Sequence, residues 1–265
     1  MCYDISFATR YELITQYVPD LIVDPQIGID YDAIIHTQAQ AYRKYPVIIM
    51  QEGRYHLKPF EWGIIADYMT TPEKIKAMRN AMCNARSEKI IGDKKSIWRR
   101  LRQQRCLIPV TGIMEHREIR GWKNKVPYHV WLKDRNIFCI PGLYHYSTNW
   151  ADKETGEIVG TYTLVTRAAN SLMMQIHNSG DQAFRMPLFL PKELELKWLE
   201  PDLTDEEIQQ ILDYEMPSEM LQYETVWTIR SQKERPDNKG KLDAFEWPNL
   251  PPLGEDEIKQ NVLFS

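Results

Sequence analysis

Cys106-Leu107-Ile108-Pro109-Val110-Thr111-Gly112-Ile113-Met114-Glu115-His116 is the stretch on which the reading of the fold turns. Its apolar, β-branched run spans 106–114, too short for a buried helix, and it stops at an acid, as a strand leaving a core does. The segments 126–132, 136–143 and 158–166 repeat the pattern downstream, separated by Gly, Asn and Lys turns. Upstream, 46–50 and 56–65 read as two more strands, and 224–229 as a last one. Helices fall between them irregularly. Thr71-Pro72-Glu73 is a helix start, and Ile75, Met78 and Met82 carry its spacing to about Cys83. Residues 93–104 and 168–177 read as further helices, Pro191 opens another to Leu199, and Thr204-x-x-Glu207 is a capping box. Strands mixed with helices in this order predict an α+β domain with mostly antiparallel sheets. We expect that domain over 2–230, followed by a charged, Pro-containing tail over 231–265 rather than a second domain.

The 265 residues suffice for one large core, and 43% hydrophobic with 26% charged residues is the balance of an ordinary soluble protein. No apolar run approaches the ~20 residues of a membrane span. The N-terminus lacks the charged-then-apolar layout of a signal peptide, so a cytoplasmic protein with no membrane partner is expected. Cys2, Cys83, Cys106 and Cys139 share no metal-like spacing, the six histidines form no HExxH, and no Gly-rich phosphate loop occurs. No metal and no other cofactor is therefore expected.

The net charge of −4 conceals an uneven distribution. Residues 193–265 carry 18 acidic against 7 basic side chains, which leaves the rest of the chain basic. Eight basic residues, Lys94, Lys95, Arg99 and Arg100 among them, fall between Arg86 and Arg105 against only Glu88 and Asp93. Such a patch binds phosphates even on an acidic protein, although most charge runs are solvated helix faces.

Four places carry chemistry. Met1 followed by a small residue is normally trimmed, which makes Cys2 the N-terminus and sets an amine beside a thiol. That 1,2-aminothiol can close on an aldehyde as a thiazolidine, or its amine can serve as base for its own sulfur. A near-terminal cysteine taken alone is more often buried filler. In Asn84-Ala85-Arg86-Ser87-Glu88 an extended backbone puts an amide, a guanidinium and a carboxylate on one face, suited to orienting a substrate beside a phosphate. Glu115, at the end of an apolar strand, is a candidate acid and base. His177 closes a short helix and can move a proton near neutrality. For each of the last three the plain structural alternative is a helix-exit ion pair, a strand-end glutamate and a helix-capping histidine.

Together these motifs carry a resemblance. Met1-Cys2, Phe60-Glu61-Trp62-Gly63, Asn84 to Glu88, Cys106 to Glu115, and Ile176-His177 with Arg185-Met186-Pro187 occur in the order of the SOS-response-associated peptidase (SRAP) family, the abasic-site crosslinking proteins. The chain resembles that family from Cys2 to about Leu199. The resemblance implies a single SRAP-like domain with twisted sheets forming a barrel-like core flanked by helices. It implies a monomer whose partner is single-stranded DNA containing abasic sites, captured covalently through Cys2 after Met1 removal, with self-reversal and a lyase side activity. It assigns the chemistry to Cys2, Asn84, Glu115 and His177. DNA contacts fall to Arg86, Tyr68, Lys94, Lys95, Arg99, Arg100, Thr166 and Arg185. Two rival readings stay open: an N-terminal-cysteine amidohydrolase or peptidase, and a non-catalytic single-strand-binding module. The sequence departs from the family at Tyr3-Asp4, where Gly and a phosphate-binding Arg are usual, so Asp4 is expected to repel a phosphate. It departs again after Gly63, where Tyr68 is the one aromatic in place of a Trp-rich stretch.

Overall fold

The run from Cys106 to His116 is two strands, and the break between them shapes the molecule. The computed structural model describes residues 2–30, 34–230 and 233–255. In chain order its strands are β1 (Asp4–Phe7), β2 (Ile22–Val23), β3 (Ile34–Gln38), β4 (Lys44–Gln51), β5 (Arg54–Trp62), β6 (Asn84–Arg86) and β7 (Arg105–Val110). They continue as β8 (Gly112–Arg117), β9 (Val126–Leu132), β10 (Phe138–Ala151), β11 (Ile158–Ala168), β12 (Arg185–Pro187) and β13 (Leu221–Thr225). The helices are α1 (Glu12–Tyr17), α2 (Pro25–Asp30), α3 (Pro72–Met78), α4 (Ile97–Leu101), α5 (Ser171–Ile176), α6 (Lys192–Trp198) and α7 (Asp205–Leu212).

β7 belongs to one sheet and β8 to the other. At the crossing the Thr111 N–H donates to Ser6 O at 2.8 Å. Gly112 lies so close to β9 that a Cβ there would collide with the His129 ring, so the crossing needs glycine. The first sheet runs β13-β9-β8-β1-β3. In the second, β11, β10, β7, β4 and β5 pair in sequence, and β5 then pairs parallel with β11 through Glu61↔Thr161 and Trp62↔Tyr162. That last pairing closes a five-stranded barrel and removes its edges. Trp62 locks the seam: its ring stacks on Tyr162 at 5.7 Å and its Nε1 donates to Cys83 O at 2.8 Å. Gly63, at φ +90°, turns the chain away there and donates its N–H to Tyr162 O. The Phe60-to-Gly63 motif is thus a barrel closure. The α+β architecture with a barrel core is as the sequence predicts.

Several boundaries differ from expectation. The helix expected over 93–104 is only α4, because Asp93 accepts from the Lys95 N–H and Ser96 caps Trp98. These local side-chain bonds hold Lys94 and Lys95 in a turn. The helix expected to reach Cys83 ends at Met78 and continues as a 3₁₀ turn over Arg79–Met82. The last strand is β13, displaced toward the N-terminus from 224–229. The Thr204–Glu207 capping box is present with both of its bonds.

The segment 233–255 lies against the first sheet. Trp247 stacks on Trp227 at 5.2 Å, the Phe245 N–H donates to Thr225 O, and Arg117, 1% exposed, donates to the carbonyls of Pro251 and Pro252 at 2.8 Å each. Among the described residues no helix is long and apolar enough to cross a membrane.

Candidate active site

Cys2 sits just ahead of β1, fully buried, with its thiol donating to Asp4 O at 3.5 Å. Burial pushes that thiol well above its ordinary value, and the neighbouring Glu115 adds to the rise. The antiparallel pairing of β1 with β8 through Ile5↔Ile113 brings Glu115, two residues along β8, to the level of Cys2 and Tyr3. The expected removal of Met1 falls on a residue outside those described.

Glu115 is 4% exposed, and its Oε1 is buried with no hydrogen-bond partner among the described residues. Burial pushes its carboxyl up to about 8; Asp4 adds to the rise, while the Arg230 charge and the Cys2 contact oppose it. His177 follows α5, and its own N–H donates to Met173 O. Its Nδ1 is 2.7 Å from Arg185 O, a carbonyl that can only accept, so the ring proton sits on Nδ1 and Nε2 carries the lone pair. That Nε2 lies 3.9 Å from Glu115 Oε2. Burial pushes the imidazole down to about 4. Asn84 opens β6, buried, with both amide atoms lacking a partner among the described residues. An unpaired buried amide is costly, and a functional site is the usual reason to keep one.

A cleft of about 480 Å³ opens onto Glu115 and His177, lined also by Tyr3, His116, Lys125 and Arg230 along with the turn from Ser179 to Gln182; the buried Cys2 and Asn84 are not among its lining residues. A cleft of about 500 Å³ on the flank of the barrel, around Phe60, Tyr144 and Tyr146, contains none of the four candidate groups. Chemistry therefore favours the first. Among the described residues no cluster of three or more His, Cys, Asp or Glu side chains is arranged to hold a metal.

The residues expected to contact DNA separate into two sets. β6, β11 and β12 run side by side through Arg86↔Thr166 and Thr166↔Pro187, which gathers Arg86, Thr166 and Arg185 beside the cleft. Arg86 donates to Gln182, and Arg185 grips Glu88 with two bonds of 2.9 and 3.0 Å while donating to Thr166 O. Lys94, Lys95, Arg99 and Arg100 do not line the cleft. Arg99, together with Arg102, pairs with Asp205 at the start of α7, so part of the basic run is neutralised within the fold. Tyr68 is 45% exposed.

Asp4 corrects the expectation drawn from the sequence. It is 1% exposed and bonded to Arg230, and its Oδ1 lies 2.7 Å from His36 Nε2. Burial alone would raise its carboxyl, but the bonds to His36 and Arg230 outweigh burial and hold it below the usual range. A carboxylate so enclosed and neutralised does not present its charge to a ligand. Arg230, Lys125 and Gln182 are lining residues that the sequence reading missed. Nothing local to Arg230, an isolated cation after a strand, marks it as part of a site.

A model of the family described as SOS response associated peptidase (SRAP) matches residues 1–231. The chain belongs to the SRAP family. Among its SRAP relatives, a Bacillus subtilis protein named abasic site processing protein YoqW is 31% identical over 187 residues, 70% of this chain and 76% of that one. The B. subtilis abasic site processing protein YobE is 33% identical over 165 residues, 62% and 68% of the two chains. A crystal structure of a protein from Bacteroides thetaiotaomicron superposes with a TM-score of 0.74 at 29% identity, covering 91% of this chain and 97% of that one. A second, from Bordetella bronchiseptica, has a TM-score of 0.67 at 20% identity over 86% and 100% of the two chains, and shares the fold.

Proposed function

We propose that this SRAP protein processes abasic sites in single-stranded DNA by capturing them as a covalent thiazolidine on Cys2. The observation that carries the reading is a carboxyl that keeps its proton at neutral pH beside a neutral imidazole on one cleft wall, with the buried Cys2 side chain next to that carboxyl. Processing of abasic sites is also what the names of the B. subtilis relatives state of those proteins.

An abasic deoxyribose is mostly a closed hemiacetal. In the proposed sequence His177 Nε2 takes the anomeric hydroxyl proton while Glu115 protonates the ring oxygen, which opens the sugar to its aldehyde. The proton then returns from imidazolium to carboxylate and resets the pair. With Met1 removed, the Cys2 amine (pKa ~7.7–8.0 when unperturbed) adds to the aldehyde carbon. Glu115 protonates the carbinolamine hydroxyl, water leaves, and a Schiff base forms. The carboxylate next accepts the thiol proton, which restores the acid, and sulfur adds to the carbon of the protonated imine, leaving nitrogen as a neutral N–H. Aldehyde and aminothiol thus give thiazolidine and one water. The buried thiol resists ionisation, so amine-first order is favoured. Asn84 has amide donors and an acceptor free to hold the amine and the sugar in line. Reversal by the same proton transfers permits self-release, and β-elimination at the Schiff base gives the lyase side reaction. Peptidase action means at minimum the removal of Met1.

Arg86, Thr166 and Arg185 beside the cleft, with Tyr68 and the outlying Lys94, Lys95, Arg99 and Arg100, are the proposed DNA contacts of a cytoplasmic monomer. Their charge makes binding salt-dependent. The test is a denaturing gel of the protein mixed with single-stranded DNA bearing one abasic site. A shifted band for wild type and none for Cys2→Ala is expected. No band, or equal bands, overturns the reading.

A further inference from the structure

Arg230 is a cation built into the cleft from the far end of the chain. Its guanidinium lines the same space as Glu115 and His177, and its side chain is 43% exposed. Nε and Nη2 both donate to the buried Asp4 carboxylate, while among the described residues Nη1 has no acceptor. His36 supports the same carboxylate from behind. The backbone is fixed as well: Val226 and Ile229 are buried and packed with Met114, the residue before Glu115. An arginine anchored along one edge of its fork has its remaining N–H donors directed and its side-chain entropy already spent, which is the arrangement that suits oxyanion binding. The other cation on the cleft wall, Lys125, is tied to Ser179 at 2.7 Å and to Glu118 at 3.4 Å.

We propose that Arg230, held by Asp4, is the phosphate-binding residue at the mouth of the cleft. It takes a non-bridging oxygen of a phosphodiester next to the sugar that enters. Asp4 is a positioning residue: buried, two residues from Cys2, it couples the place of the nucleophile to the place of the phosphate. The proposal rests on the DNA reading of the cleft. It adds the contact that fixes which sugar along a strand faces Cys2.

The experiment measures equilibrium binding of a single strand carrying one tetrahydrofuran abasic analogue, which has no aldehyde, with either flanking phosphate replaced by a neutral methylphosphonate. For wild type, one replacement is expected to weaken binding roughly ten-fold, the size of a charge-assisted hydrogen bond. Arg230→Ala should bind the unmodified strand about that weakly, lose nothing further with the methylphosphonate, and show a salt slope shallower by ~0.7. A merely structural role for Arg230 would leave the methylphosphonate penalty in place. Wild-type affinity and slope in Arg230→Ala, or penalties that multiply, overturn the proposal. If that variant fails to fold, the wild-type strands still decide, because no loss at either methylphosphonate overturns it. The covalent reading fails separately, through absence of a crosslink to a true abasic strand while analogue binding persists.

Discussion

His177 Nε2 lies 3.9 Å from Glu115 Oε2, and burial has inverted the order in which the two groups hold a proton. At pH 7 the carboxyl, pushed up to about 8, keeps its proton, and the imidazole, pushed down to about 4, is neutral with its one ring proton on Nδ1. The separation is too long for a hydrogen bond, so the pair rests as a neutral acid beside a neutral base. A substrate hydroxyl or a water between them would complete a proton relay without separating charge in a buried space.

The pH profile of crosslinking follows from that pair. The Cys2 amine must lose its proton, with pKa near ~8, and Glu115 must keep its own, with a value of about 8. The rate is expected to trace a bell with its maximum near pH 8, measured as initial crosslink formation in a buffer series. Glu115→Gln should lower the rate by roughly 10²–10⁴ and remove the alkaline limb. A wild-type rate that keeps climbing through pH 9 would contradict the role of Glu115 as acid.

Stability should record the same burial. Because the folded-state value of Glu115 is raised above its unfolded value, its contribution is greatest at low pH and is lost as pH rises through about 8. Glu115→Gln is therefore expected to melt near wild type at pH 5 and above it at pH 9. Glu195, also raised to about 7, acts in both proteins and cancels in the difference. Thermal melts at the two pH values settle the sign.

Asp4 carries the opposite sign. Its carboxyl is held low, so its stabilising bonds to His36 and Arg230 persist above the unfolded value and fade as pH falls through the folded one. Asp4→Ala should cost on the order of 2–4 kcal/mol at pH 7 by stranding a partly buried guanidinium. The gap to wild type should begin to narrow below about pH 4, where Asp4 of the unfolded chain takes up its proton, and close further as pH falls through the lower folded value. Denaturant melts at pH 7 and pH 3 check the sign: a gap that widened at the lower pH would mean that Asp4 is protonated in the fold.

Asn84 separates function from stability. Both of its amide atoms are buried without a partner, so Asn84→Leu removes an unsatisfied group at nearly constant volume. We expect a melting temperature at or above wild type together with a large loss of crosslinking rate. A strongly destabilised variant would mean that the amide is structural.

Local chemistry made much of this legible in the sequence. The Thr204 capping box, the strand over 126–132 and the alternation in Asn84-Ala85-Arg86 depend on near neighbours, and each formed as written. The barrel closure was not legible, because it depends on Trp62 meeting Tyr162 a hundred residues later. The helix over 93–104 was overread: its apolar spacing was genuine, but Asp93 and Ser96 bond to the backbone more effectively than a longer helix would. Of the candidate site, Cys2, Glu115 and His177 came together as their residue types suggested. Arg230 was invisible, and Asp4 was misread, for one reason: the sign of a charge near a ligand depends on the partner it already has, and that partner is 226 residues away.

That separation also sets an order of events during synthesis. Asp4 belongs to the first strand of the fold, whereas Arg230 lies beyond the last, β13. At ~5–20 residues per second, the interval is on the order of ten seconds or more. Through that interval the Asp4 carboxylate has no guanidinium to meet. The tie from Asp4 to Arg230 therefore makes this wall of the cleft a late product of folding, one that closes only after β13 has been made.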